Sequence, residues 1–336
     1  MPPEARQDPP PGAPPPRHLS LTERARLGPV TTAVALFCAG LFLAGNLQPE
    51  LFERGVMAPD EVWGGELWRL LTANFFHVNF LHVAFNVLWW WTLAFAIEVR
   101  FGGARLLLLT LATGVAGSLA ELAFVALDYP GSVGLSGAVY GLFCFGYVAL
   151  RPLGGPFGML FGVKNAQVFL GWGLLCVVLT VADVLPVANY AHGAGALFGA
   201  LLGWAWSQHG LRRLAFSGAF AALLALLAFG GLNPRWTSRH QAFLGSRAFD
   251  AKDWPAAATH FEAVLERHPD AHWIRANLAL VLAQAGRLPE ATAAARALPE
   301  SYLATLQGGN QQIIAWLRSG ELEAHPEGRS GVGSPP

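Results

Sequence analysis

The sequence predicts an all-α protein: a polytopic bundle of membrane helices followed by a small helical domain with a repeat-like pattern. Three observations predict it. Of 336 residues, 53% are hydrophobic and only 13% charged, which is too apolar for an ordinary soluble domain. Seven apolar stretches approach the ~20 residues that a helix needs to cross a bilayer. From about residue 236 the chain turns polar, Ala-rich and periodic.

Residues 1–28 are rich in Pro and Arg without apolar periodicity and read as a disordered tail. They lack the tight succession of basic, apolar and cleavage regions of a signal peptide, so no removal is expected. The apolar stretches follow at about 29–47, 80–98, 104–126, 134–150, 165–185, 190–208 and 213–232. Residues 48–79, with Trp63, Trp68, Arg69 and His77, are too long for a simple turn and are expected to fold at the membrane interface. The gap 127–133 is made of turn residues, and 151–164 is Gly/Pro-rich between Arg151 and Lys164. Residues 29–208 therefore read as a six-span core, and 209–235 as a seventh span and linker.

The basic residues set a topology for a multi-pass protein of the cell membrane. Arg6, Arg17, Arg24 and Arg26, then Arg100 and Arg105, then Arg151 and Lys164, then Arg212 and Arg213 all fall on one side if the N-terminus is cytoplasmic. Residues 48–79, 127–133 and 186–189 then face outside, and Ser136, His192, His82 and Asn86 lie at similar depth below that surface. The C-terminal domain is outside if 213–232 spans and cytoplasmic if it does not. Net charge is zero, so nothing suggests a nucleic-acid partner. Cys38, Cys144 and Cys176 sit inside apolar runs and read as buried hydrophobes, with no disulfide framework.

In residues 236–320, Leu244, Gly245, Ala257, Phe261 and Pro269 have the spacing of a tetratricopeptide repeat. A shift of 34 residues meets Leu278, Ala279, Ala291 and Ala295, and Trp254-Pro255 is matched by Leu288-Pro289. So few repeats need docking to the membrane domain or to a partner, and a protein-binding role is the expectation. Residues 321–336 read as a disordered tail.

Polar groups in hydrocarbon are costly and usually functional. Ser136, between Gly134 and Gly137 at a helix start, is the candidate nucleophile, beside free backbone N–H groups and a positive dipole end. Ala138 occupies the place of the second glycine of a nucleophile elbow, so this is not the soluble-hydrolase motif. His192 is the candidate base. Gly195, Ala196 and Gly199 share its face, and Gly137 with Gly141 lines Ser136, so both helices are built for close contact. Tyr140, one turn after Ser136, is placed to stack on the His192 ring and hold it, a task that Asp has in triads. Asp183 is a weak third-member candidate; a solvated interfacial carboxylate is its simpler reading. His82 and Asn86, at i and i+4, face one way and can both donate to an oxyanion. No carboxylate or thiolate has ligand spacing with His77, His82 or His192, so no metal or other cofactor is expected. Glu98 and Glu121 are expected to pair with basic or backbone groups near the interfaces.

These residues together resemble the rhomboid family of intramembrane serine proteases. The resemblance is carried by Trp68-Arg69, by His77-Val78-Asn79-Phe80-Leu81-His82 with Asn86, and by Trp89-Trp90-Trp91. It continues through Glu98-Val99-Arg100-Phe101-Gly102, Gly134-Leu135-Ser136-Gly137 with Tyr140, and Ala191-His192 with Gly195 and Gly199. It covers roughly residues 29–208. It implies a Ser136–His192 dyad in a water-filled cavity, with His82, Asn86 and the Ser136 N–H as oxyanion donors. It also implies single-span membrane substrates, no metal or nucleotide, a Trp-Arg loop partly in the outer leaflet and a lateral gate at span five. A non-cleaving scaffold of the same family and a transporter are the rival readings. The intact Ser136 and His192 argue against the first, and the lack of matching interrupted helices against the second.

Overall fold

The structure is a computed structural model describing residues 19–320. The tail expected at 321–336 and most of the one expected at 1–28 lie outside the described residues. Within the remainder of that first stretch the expectation is corrected: Leu21–Leu27 is a helix, α1, closed by a reciprocal capping box between Ser20 and Glu23. Ser-x-x-Glu supplies two of the missing helix-end bonds locally, without an apolar face.

Each of the seven apolar stretches is a helix. α2 is Pro29–Leu47, α6 is Phe80–Phe101, α7 is Gly103–Ala123, α8 is Ser136–Ala149, α10 is Val163–Val181, α11 is Asn189–Ser207 and α12 is Gly210–Leu232. Five segments are long and apolar enough to cross a membrane: Pro29–Leu47, Phe80–Phe101, Gly103–Ala123, Gly155–Val181 and Gly210–Leu232. The protein is therefore a multi-pass integral membrane protein. The exception that matters is α8, whose 14 residues extend only ~21 Å at ~1.5 Å each. That falls short of the ~30 Å hydrocarbon core, so α8 alone does not reach both faces, and non-helical chain at membrane depth must be covered by the surrounding protein.

That cover comes from residues 48–79, which form three short helices, α3 (Pro49–Gly55), α4 (Pro59–Trp63) and α5 (Arg69–Thr72), and a 3-10 turn, Ala73–Phe75. Arg69, only 6% exposed, ties them together. Its Nε donates to Glu66 at 2.7 Å, and its Nη1 donates to the carbonyls of Val56 and Glu53. Trp68 stays 55% exposed. A two-bond β-bridge, Met57 N to Ser132 O at 3.0 Å and Ser132 N to Met57 O at 3.1 Å, stitches this segment to the approach of α8. The Gly/Pro-rich gap 151–164 also holds a 3-10 turn, Arg151–Leu153, and a short helix, α9 (Gly155–Leu160).

α8 lies at the centre of the membrane bundle. Leu142 and Phe145 on α8 pack with Cys38 on α2 and with Trp90, Leu93 and Ile97 on α6, all fully buried. Against α11 the approach is backbone to backbone. A Cβ on Gly195 would stand 2.0 Å from the Gly137 carbonyl oxygen, and one on Gly199 2.0 Å from that of Gly141. α10 is at the other extreme, burying only Phe169 and Cys176. Cys38 and Cys176 are buried, as expected, and Cys144 is half-buried.

Two membrane helices receive their N-terminal caps from a glutamate on another helix. Glu98 of α6 accepts from Val30 N–H at 2.9 Å, Thr31 N–H at 2.8 Å and Thr31 Oγ1 at 2.7 Å. Glu121 of α7 accepts from Ala191 N–H at 2.9 Å. Both pair with backbone, one of the two options the sequence left open.

The C-terminal helical region comprises α13 (Ser238–Asp250), α14 (Trp254–Leu265), α15 (His272–Gln284), α16 (Leu288–Arg296), α17 (Glu300–Leu303) and α18 (Gly308–Ser319). Successive antiparallel pairs bury the residues the repeat spacing singled out: Ala257, Phe261, Ala279, Ala291 and Ala295 are fully buried. Gly245 makes room for Phe261, whose ring would lie 2.6 Å from a Cβ there. The region docks on the face of the bundle that carries residues 48–79. Arg239 forks onto Asp60 at 3.0 and 2.8 Å, and Trp236 Nε1 donates to Ala123 O at 3.0 Å.

Candidate active site

The chain is forced into the site by the turn that precedes α8. Gly134 has φ +120°, a conformation that side chains disfavour. Its N–H donates to Ala73 O at 2.9 Å. A Cβ there would also stand 2.7 Å from the His82 ring, so only glycine lets that imidazole lie against the backbone leading to Ser136. Leu135 N–H donates to His77 Nε2 at 3.4 Å, and His77 Nδ1 faces Phe75 O at 3.2 Å. One neutral tautomer satisfies both contacts. Burial, with His82 nearby, holds His77 down to about 3, so it stays neutral and keeps this geometry. The sequence singled out His77 only through the family motif and as a remote metal-ligand candidate. Its place is structural, under the turn.

Ser136 is the first residue of α8, and no side chain caps that helix, so its first N–H groups point free of intrahelical partners. His192, 7% exposed, is the fourth residue of α11. Its Nε2 lies 2.8 Å from Ser136 Oγ. For the hydroxyl to donate, Nε2 must be unprotonated and Nδ1 must carry the hydrogen. That Nδ1 is buried without a partner. The Tyr140 ring stacks on the imidazole with centroids 4.7 Å apart and planes at 21°. The Tyr140 hydroxyl donates to Phe169 O of α10 at 2.9 Å. Asp183 is exposed beyond the end of α10, at φ +55°, and makes no recorded contact with His192.

His82 and Asn86 lie on the α6 face toward this turn. Asn86 is 3% exposed and donates to His82 O at 2.9 Å, which leaves its second amide hydrogen to offer. His82 and His77 meet edge to face at 4.9 Å. Gly137, Gly141, Gly195 and Gly199 form the tight seam between the two helices. Trp68 and Arg69 stand back from Ser136 and His192, in the covering segment.

Beside Ser136 is a cavity of about 20 Å³ whose polar lining includes Asn74, Ser118 and Ser132. That volume and polarity suit a single water molecule. Asn74 and Ser118 were not foreseen from the sequence; a serine inside an apolar span was the available signal. Among the described residues, no three His, Cys, Asp or Glu side chains converge as a metal site.

Residues 64–209 match the family model described as rhomboid domain, and residues 248–304 match that of the tetratricopeptide repeat. The rhomboid protease GlpG of Salmonella paratyphi A is 35% identical over 185 residues, covering 53% of this chain and 63% of that protein. The rhomboid protease GlpG of Klebsiella pneumoniae is 32% identical over 199 residues, covering 57% of this chain and 68% of that protein. The chain thus spans just under two thirds of the Salmonella relative's length, and the repeat-like region lies outside the rhomboid match.

Proposed function

The chain belongs to the rhomboid family, and from that premise we propose that it is an intramembrane serine endopeptidase acting through Ser136 and His192. The observation that carries the proposal is the 2.8 Å contact between Ser136 Oγ and His192 Nε2, inside a bundle where an unneeded polar pair would be a cost.

Ser136 Oγ attacks the scissile carbonyl carbon and passes its proton to His192 Nε2. The carbonyl oxygen takes the negative charge and meets the Ser136 N–H, the free Asn86 amide hydrogen and His82. Each such donor is typically worth ~10²–10³ in rate. His192 then gives its proton to the leaving amine as the C–N bond breaks. A water from the small cavity, deprotonated by His192, attacks the acyl carbon and releases Ser136 as a hydroxyl.

The substrates under this proposal are single-span membrane proteins entering from the lipid past α10, the least buried helix of the core. A peptide must be extended to reach an oxyanion site built from a turn and a helix end. Small side chains and helix-breaking sequences at the cut are therefore favoured. The distribution of basic residues supports a cytoplasmic N-terminus. The C-terminal region, docked beside residues 48–79, is then on the outer side, where its helical pairs are a binding module for a protein partner.

The test is labelling of the reconstituted protein with a serine-reactive fluorophosphonate, comparing wild type with Ser136→Ala and His192→Ala. Labelling of wild type alone is expected. A folded wild type that stays unlabelled with α10 opened sinks the proposal in favour of a non-cleaving scaffold. Labelling that survives Ser136→Ala means another serine is the nucleophile.

A further inference from the structure

We infer that Glu121 is a positioning residue for His192: reaching from α7, its carboxylate fixes the first turn of α11 and thereby aims the imidazole. The inference rests on the dyad proposed above and adds a residue to it.

An Asp orients the histidine of a triad by accepting from Nδ1. Here Nδ1 is buried with no acceptor, so the ring takes its aim from the Tyr140 stack and from its own backbone. That backbone belongs to the first turn of α11, and α11 has no cap of its own: Ala188, the N-cap, offers no side-chain bond. An uncapped first turn leaves its N–H donors without partners and is the part of a helix most prone to fray. A slack first turn would move His192 directly, because His192 is one residue past Ala191.

Glu121 closes that turn. It is 3% exposed, and its Oε1 accepts from Ala191 N–H at 2.9 Å. A carboxylate at this end is also favoured by the helix dipole. Contact along α7 reinforces the placement, since a Cβ on Gly117, one turn before Glu121, would stand 3.2 Å from both Ala191 Cβ and Ala191 O. Two points on α7 thus bear on Ala191, one by hydrogen bond and one by close packing. The carboxylate takes no part in proton transfer; it holds the base that does.

The test measures kcat and KM on a single-span reporter, and the rate of fluorophosphonate labelling, in full-length reconstituted protein. Glu121→Gln keeps an acceptor oxygen at the same reach and loses the charge. Glu121→Asp keeps the charge and, one methylene shorter, loses the reach. Glu121→Gln is expected to stay within a few-fold of wild type. Glu121→Asp is expected to lose roughly ten- to a hundredfold in kcat at unchanged KM, as misplacement by about 1 Å can do, with labelling slowed in parallel. Gly117→Ala, which presses on Ala191 with the carboxylate intact, should also lower kcat without moving KM; it decides the matter should Glu121→Asp prove unstable. Wild-type kcat in Glu121→Asp or in Gly117→Ala would overturn the inference. So would a Glu121→Gln variant as slow as Glu121→Asp. A folded wild type that never labels removes the dyad and this inference together, whereas a labelled wild type matched by all three variants removes this inference alone.

Discussion

Gly195 has no side chain because there is no room for one. Its missing Cβ would stand 2.0 Å from the Gly137 carbonyl, while Gly193, two residues away, has nothing within 4 Å. Gly195→Ala must therefore push α11 away from α8, at an overpacking cost of about 1–3 kcal/mol. The same push draws His192 Nε2 off Ser136 Oγ, so labelling of Ser136 should fall well beyond the loss of folded protein. Gly193→Ala should change neither. Equal labelling of the two variants, at equal folded fraction, would mean that the glycine seam does not set the dyad distance. This seam, the pairing of Ser136 with His192 and the Tyr140 stack were legible in the sequence, because each rests on helical spacing among groups that hydrocarbon tolerates only for a reason. Glu121 was legible as a buried acid but not as the clasp on α11. That role depends on which helix end lies beside it, and nothing local in the sequence encodes the neighbour.

At the level of elements, the apolar runs foretold the membrane helices, and length alone explains why α8 does not reach both faces of the membrane. The short helices between 48 and 76 were not legible, since they owe their stability to Arg69 and its carbonyl partners rather than to periodicity. α10 buries only Phe169 and Cys176, and one of its few anchors is the Tyr140 hydroxyl on Phe169 O. Tyr140→Phe removes that anchor and keeps the ring over His192. A net hydrogen bond is worth about 1 kcal/mol, so α10 should leave its place several-fold more often while the dyad remains intact. Hydrogen exchange across Val163–Val181 should rise in Tyr140→Phe with the fluorophosphonate labelling rate preserved. Unchanged exchange would show that α10 is held by its other contacts.

For the whole molecule, the repeat-like helices were readable from a 34-residue spacing, but their docking was not. Asp60 and Arg239 are 179 residues apart, and neither carries a local sign of the other. Docking should weaken in acid. His240 lies edge to face on Trp63 of α4 at 4.7 Å. Burial, then Arg235 and His260, holds His240 down to about 4, and His260 is lowered as well, by burial and Arg235. Undocked, His240 loses its burial against Trp63, returns part of the way toward the ordinary value of about 6.5 and binds more protons than in the docked state. Docking is therefore at full strength above about pH 6.5 and weakens as pH falls from there toward about 4. Asp60 works in the opposite sense, because burial outweighs Arg239 and raises its carboxyl. Hydrogen exchange in residues 58–64 and 127–133 should rise between pH 7 and pH 5, after correction for the intrinsic rate. His240→Phe keeps a ring against Trp63 and removes the titration, so the pH-dependent part of that rise should shrink. A His240→Phe protein that loosens in acid as much as wild type would place the acid-sensitive contact elsewhere in the molecule.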